Sequence, residues 1–412
     1  MSFARPGALP PEQAPDPGWS QSLSSGAAGL ALLHIGYAHA GLTDWACAHQ
    51  WVQAMTSHPV AAHPSACLFQ GAPAVAFVLR TAALPAYTPV LHALDEHVTA
   101  ITRARLVAAH ERIDLGELPA LREFDLINGL TGLGAYLLQA LRTGPRHHNG
   151  ELLREVLAYL IRLTGPITVE DTVLPGWWTE NGPSDRPDSR WPGGHANLGL
   201  AHGIAGPWAL LSAAMISGLT VPGHTEAIEH ITRFFSTWSG GWPATPWWPG
   251  LLSAREWGNG VLDQPGPQQP SWCYGTPGVL HAHHLAAQAL NLPARAAWAR
   301  TALASCITDP AQLQQLGDDS LCHGWAGLVH LARRMLTAAD GELADALARL
   351  EHRWRDQPRQ GPNSDGMLEG QVGIALTTLP LNSSWDACLL TAPPTTRQAD
   401  TPAATPPTEG TA

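Results

Sequence analysis

The chain contains no lysine, so all 23 of its basic residues are arginine. That absence excludes Schiff-base catalysis, the lysine of a phosphate-cradling P-loop and the strand lysine of protein kinases. Fixed positive charge is scarce in general: 34 acidic residues bring the net charge to −11, and no basic stripe is present. Binding along a phosphate backbone therefore has no electrostatic support, and nucleic acid is not an expected partner. Long apolar runs are missing too, and Met1 to Ser20 holds prolines and acids where a secretion signal would have a basic then apolar leader. Neither a transmembrane segment nor a signal peptide is expected, which points to a cytoplasmic protein. Six cysteines in 412 residues are too few for a disulfide scaffold. In a reducing compartment they remain free as metal ligands or as small buried hydrophobes.

What is present is apolar and repetitive. Hydrophobic residues make up 45% of the chain and charged residues 14%, a balance suited to a compact globule of one large domain or two ordinary ones. A Gly-x-x-Gly pair followed by an apolar run recurs at Gly26/Gly29, Gly129/Gly132, Gly203/Gly206, Gly275/Gly278, Gly324/Gly327 and Gly370/Gly373. A degenerate copy has Gly71 and Ala74, making seven copies spaced 45 to 74 residues apart. The runs after the glycines are rich in Leu and Ala with apolar spacing of three and four, which predicts a helix in each and one helical hairpin per copy. The glycines either simply permit tight packing or gather seven turns at one end of a ring.

Residues 167–197 and 238–269 are rich in Pro, Gly and Trp and read as long ordered loops, with short strands around Ile167–Trp178. Their pairs Trp177/Trp178 and Trp247/Trp248 suit either an apolar wall for a substrate or mutual packing at the barrel end. Residues 1–19 and 391–412 are expected to be disordered, leaving one domain over 20–390.

Polar residues beside the glycines carry the chemistry. Ser-Trp-Cys-Tyr-Gly places Cys273 before Gly275, and Leu-Cys-His-Gly places Cys322 and His323 before Gly324. Two thiolates and an imidazole suit zinc, and three protein ligands leave a fourth position for substrate. Cys47, Cys67, Cys306 and Cys388 lack this placement and read as core residues. His281, His283 and His284 fall one to two helical turns beyond Cys273 and read as structural. Two further copies bring Asp125, in Glu-Phe-Asp-Leu-Ile-Asn-Gly, and His202, directly before Gly203. An imidazole changes charge near neutral pH, so His202 is a candidate proton carrier with Asp125 orienting it.

Taken together, Asp-Leu-Ile-Asn-Gly-Leu-Thr-Gly, Asn-Leu-Gly-Leu-Ala-His-Gly, Ser-Trp-Cys-Tyr-Gly, Leu-Cys-His-Gly and Leu-Glu-Gly-Gln-Val-Gly-Ile-Ala resemble the lanthionine synthetase C-like cyclases over about residues 22–390. The resemblance implies an all-α fold, an α/α toroid of seven helical hairpins. It implies one zinc held at Cys273, Cys322 and His323, with acid–base residues at Asp125 and His202. It further implies closure of thioether rings by Michael-type addition of cysteine thiols to dehydroalanine or dehydrobutyrine. Tyr274, beside Cys273 in the sequence, suits either a hydrogen bond to the enolate or packing. The chain is similar to the free-standing cyclases of class I lanthipeptide pathways. Its implied partners are a dehydrated precursor peptide with its leader, a separate dehydratase and an exporter at the membrane.

One departure stands out: family members often carry an arginine shortly before the first cysteine, where this chain has Gln268, Gln269 and Pro270. Arg255 is a possible substitute. Three other readings accommodate parts of the pattern: another enzymatic toroid (a zinc prenyltransferase or a glycoside hydrolase), a zinc-containing scaffold that presents the peptide, and a glutathione-adding relative.

Overall fold

A computed structural model describes residues 18–143, 146–336, 341–356, 364–380 and 384–393. Residues 1–17 and 394–412, where the sequence predicts disorder, lie outside these. The folded body extends slightly past 20–390: Trp19 begins a 3-10 turn, and Thr391 is buried with its hydroxyl 3.0 Å from Asp386 Oδ2.

Helices come in pairs. They are α1 (Ala27–His39) with α2 (Trp45–Met55), α3 (Ala72–Ala82) with α4 (Thr88–Asp114), and, after the single turn α5 (Leu121–Phe124), α6 (Leu130–Thr143) with α7 (Arg146–Leu163). Next come α8 (Ala205–Ile216) with α9 (His224–Thr237), the short α10 (Ala254–Asn259), and α11 (Thr276–Ala289) with α12 (Pro293–Thr308). The short α13 (Pro310–Leu313), the pair α14 (Trp325–Met335) and α15 (Glu342–Asp356), and α16 (Gln371–Leu376) complete the order.

The first member of each pair forms an inner ring. Contacts run from α1 to α3, α6, α8, α11 and α14, and α16 returns to α1. Arg333 of α14 joins the last step by donating to the Thr377 carbonyl at 2.7 Å. Sequence assigns the layers through burial. α1 is buried on every face from Ala27 to Gly36, as expected of a helix surrounded by protein, whereas α15 buries only Ala346, Leu350 and Trp354, a single stripe at spacing four. The seventh copy differs. After α16 the chain forms, among the described residues, a 3-10 turn (Trp385–Leu389) that lies inside the ring against α6, α11 and α14. There Asp386 pairs with Arg334 and His330, and the Leu389 and Leu390 carbonyls accept from Trp272 and His281.

Six of the seven turns have both glycines, and the second has a steric reason. A Cβ at Gly29, Gly132, Gly206, Gly278, Gly327 or Gly373 would lie 2.0–2.8 Å from the carbonyl oxygen of the residue three before the first glycine of that copy. The turn folds back onto its own helix, so only glycine fits. Gly278→Ala, whose Cβ would meet the Trp272 carbonyl oxygen at 2.3 Å, is therefore expected to cost about 1–3 kcal/mol, read as a lower midpoint in urea unfolding.

The same turns are joined around the ring by backbone hydrogen bonds. Leu23 N–H donates to Phe69 O, Leu126 to Ala201 O, Leu200 to Cys273 O, Cys273 to Cys322 O, Cys322 to Leu368 O, and Leu368 to Ser24 O, all at 2.8–3.2 Å. This belt gathers the residues beside the glycines at one end of the toroid. Among the described residues it lacks one link, from the second copy to the third.

Short strands build the loops over that end. β1 (Pro166–Val169) and β2 (Thr172–Pro175) form a hairpin where short strands are expected, β3 (His195–Asn197) pairs antiparallel with β6 (Leu251–Ser253), and β4 (Gly240–Trp242) pairs with β5 (Thr245–Trp247). No described helix is long and apolar enough to cross a membrane.

Candidate metal centre and acid–base pocket

The turns before α11 and α14 bring Cys273, Cys322 and His323 together, with one ligand atom from each within 4.8 Å of the others. The belt bond from Cys273 N to Cys322 O, 3.2 Å, fixes the two cysteines side by side. His323 Nε2 lies 3.3 Å from Asp318 Oδ2, the carboxylate–imidazole pairing that sets ring orientation in metal-bound histidines. Ser271 Oγ sits 3.7 Å from Cys273 Sγ. Hydrogen bonds from Cys322 and His323 bring the Cys273 thiol down to about 5, against its burial. The Cys322 thiol, donating to Cys273, is pushed well up, and contact with Cys273 raises His323 to about 9. Two thiols and an imidazole gathered this closely fit a divalent cation, which takes both thiols as thiolates. This donor set suits zinc.

Asp125 and His202 meet from the third and fourth copies. His202 Nδ1 lies 2.6 Å from Asp125 Oδ2, and Asp125 Oδ1 accepts from Asn128 N, also at 2.6 Å. Asp125 is buried at 1% side-chain exposure while His202 is 36% exposed, so the ring alone meets solvent. Burial opposes protonation of His202, but the Asp125 hydrogen bond and charge, with smaller help from Cys273 and Asp185, hold it above the usual imidazole value. Tyr274 stacks near His202, ring centroids 6.5 Å apart, and its hydroxyl accepts from Asn197 Nδ2 at 3.0 Å. Burial pushes the phenol to about 12, so it keeps its proton and can donate a hydrogen bond.

Both groups open on one cleft of about 1290 Å³, lined by His202, Cys273, Tyr274, Cys322 and His323. Its walls come from the Pro- and Trp-rich loops, including Trp191, Pro192, Leu251, Arg255 and Pro265. Glu256 braces one wall: its buried carboxylate accepts from Ser253 N, Asp263 N and Gln264 Nε2.

All six residues singled out by sequence thus lie at this end of the ring. The tryptophan pairs do not line the cleft. Trp177 packs edge-on to Phe234, Trp178 lies against Trp257, and Trp248 donates to Phe235 O, while Trp191 supplies the aromatic wall instead. Cys67, Cys306 and Cys388 are buried, and Cys47 lies 3.4 Å from His34. His281, His283 and His284 are buried within α11. Gln269 donates to the His323 carbonyl at 2.5 Å, and Arg255 reaches the cleft paired to Asp263 at 2.9 Å. Sequence reasoning missed Asp318 and Asn197, and noted Gln269 only as standing where an arginine is expected. Asp318 had a signal, since Gly-Asp-Asp-Ser just before Leu-Cys-His offers a carboxylate within a turn of the ligands. Asn197 and Gln269 act through contacts between copies and carry no local mark.

Fold and site define an α/α toroid with a Cys-Cys-His cluster beside an aspartate–histidine pair. Residues 17–390 match the family model of the Lanthionine synthetase C-like proteins, and the chain belongs to that family. It is 27% identical over 214 residues to the Nisin biosynthesis protein NisC of Lactococcus lactis subsp. lactis, a match covering 51% of this chain and 48% of that protein. The chain thus matches about half the length of this curated relative. The solved structure of a nisin cyclase has the same fold, with a TM-score of 0.70 at 21% identity over 92% of this chain and 94% of that one.

Proposed function

We propose that this protein is a zinc-dependent lanthipeptide cyclase that closes (methyl)lanthionine rings in a dehydrated precursor peptide. The observation that carries the reading is the meeting of a Cys-Cys-His donor set and a raised-pKa histidine on one cleft. When bound at Cys273, Cys322 and His323, zinc supplies Lewis acidity that lowers the pKa of a substrate thiol.

The protein's own groups do the rest. Attack of the peptide thiolate on the β-carbon of dehydroalanine or dehydrobutyrine forms the C–S bond and sends the alkene electrons to the adjacent carbonyl. Tyr274, its oxygen already accepting from Asn197, donates a hydrogen bond to that developing oxyanion and keeps its proton. His202, protonated and held through Nδ1 by Asp125, delivers a proton from Nε2 to the α-carbon. The cleft has room for several peptide residues. The acids of the cleft do not offer the two free carboxylates of a glycoside hydrolase: Glu256 is saturated by hydrogen bonds and Asp263 is paired with Arg255, which leaves Glu369 without a second. A dehydrated substrate calls for a separate dehydratase, and an exporter and a cytoplasmic location are part of the same proposal.

Mass spectrometry of a dehydrated precursor tests the proposal, because each ring closed leaves the peptide mass unchanged but removes one thiol from alkylation. The zinc-loaded protein is expected to protect thiols progressively. If every thiol stays alkylatable while the peptide still binds, the protein is a scaffold and the reading fails.

A further inference from the structure

Between the second and third turns, where the backbone belt lacks its link, stands a side chain from the outer ring. Arg105 of α4 donates from Nε to the Pro64 carbonyl at 2.9 Å and from Nη1 to the Asn128 carbonyl at 2.5 Å. Pro64 belongs to the loop leading into the second copy, and Asn128 directly precedes Gly129 of the third. The gap falls at the one copy with a degenerate glycine pair, Gly71 and Ala74. There Cys67 and Gln70 satisfy each other's backbone groups within the turn instead of reaching the next copy.

We infer that Arg105 is a positioning residue that closes the belt and, by clamping the Asn128 turn, holds Asp125 against His202. The geometry is direct. The Asn128 carbonyl is gripped by Arg105 while the Asn128 N–H donates to Asp125 Oδ1, so the peptide unit on either side of this residue is fixed. The remaining Asp125 oxygen, Oδ2, is the one that meets His202. Release of the carbonyl frees the turn and loosens the carboxylate. A Cβ at Gly129 would lie 2.3 Å from Asp125 N, so this turn is wound tightly around the aspartate and transmits such a shift.

The charged and titratable groups around the pair come from several elements. Arg105 of α4 and Cys67 of the second turn lie on the Asp125 side, while Tyr274, Cys273 and Asp185 lie on the His202 side. Asp125 and Cys67 favour the charged guanidinium against its burial, so Arg105 also carries an electrostatic effect that must be separated from the clamp. Loss of its positive charge alone would raise the His202 pKa. Loss of the clamp would weaken the Asp125 hydrogen bond and lower it.

The inference rests on the reading of His202 as the acid, but its test does not depend on turnover. Arg105→Lys keeps the charge and loses the two-carbonyl fork, and Arg105→Ala loses both. The C2 proton resonance of His202, assigned by its absence in His202→Ala, reports the pKa in each protein. Both variants are expected to titrate below the parent, with kcat for ring closure reduced about tenfold, KM unchanged and zinc content intact. A lysine variant that titrates like the parent, or upward shifts in both variants, overturns the clamp. If the protein closes no rings the functional reading falls, and the titration still decides the role of Arg105.

Discussion

Cys322→Ala is expected to lose zinc and, with it, most of ring closure. Only Cys273 and His323 would remain of the donor set, and two ligands do not hold a catalytic zinc against buffer. Substrate thiols would then rely on their own ionisation at neutral pH and on encounter without fixed orientation. Together these losses are expected to lower the rate about 100-fold or more. The fold should survive, because Cys322 contributes to the belt through its backbone N and O, which alanine retains. Circular dichroism like the parent's, with no zinc and no thiol protection, is the expected outcome. Normal activity in this variant would remove the metal from the account.

His202→Ala is the second. Loss of a positioned acid typically costs 10²–10⁴-fold, so the expected result is a fall of about that size in kcat with zinc still bound. Asp125→Asn separates charge from shape. Asp125 raises the His202 pKa, so the amide lowers it, and the protonated fraction at neutral pH falls. The basic limb of the pH–rate profile must move to lower pH, and a move to higher pH would contradict the assignment. Stability follows the same sign. With a folded pKa above the unfolded value, the pair stabilises the protein fully below about 6.5 and loses this contribution as pH rises through the folded value.

The toroid was legible in the sequence because its constraint is local. Each second glycine touches a carbonyl only six residues earlier, so every copy prints the same short mark. The candidate site was legible for a related reason. Its residues stand within four positions of a repeat glycine, and the belt converts shared phase in the sequence into proximity in space. The interior fate of the C-terminal turn was not legible. Asp386 is held by Arg334 and His330, partners more than fifty residues away, and neither spacing nor composition announces them. The tryptophan loops failed in the same way, since both readings of them were compatible with composition and only packing against Phe234, Phe235 and Trp257 decides. Arg105 shows the limit most clearly. On a 27-residue helix with many polar residues it looks like a solvated charge, and its value comes from a gap in the contacts between the second and third copies.

Zinc per chain, measured by elemental analysis of reduced, anaerobically purified protein alongside Cys322→Ala, decides whether the Cys-Cys-His cluster is a metal centre. About one zinc is expected in the parent and essentially none in the variant. A parent that holds no zinc after supplementation, or a variant that keeps it, would contradict the assignment of Cys273, Cys322 and His323 and the chemistry built on them.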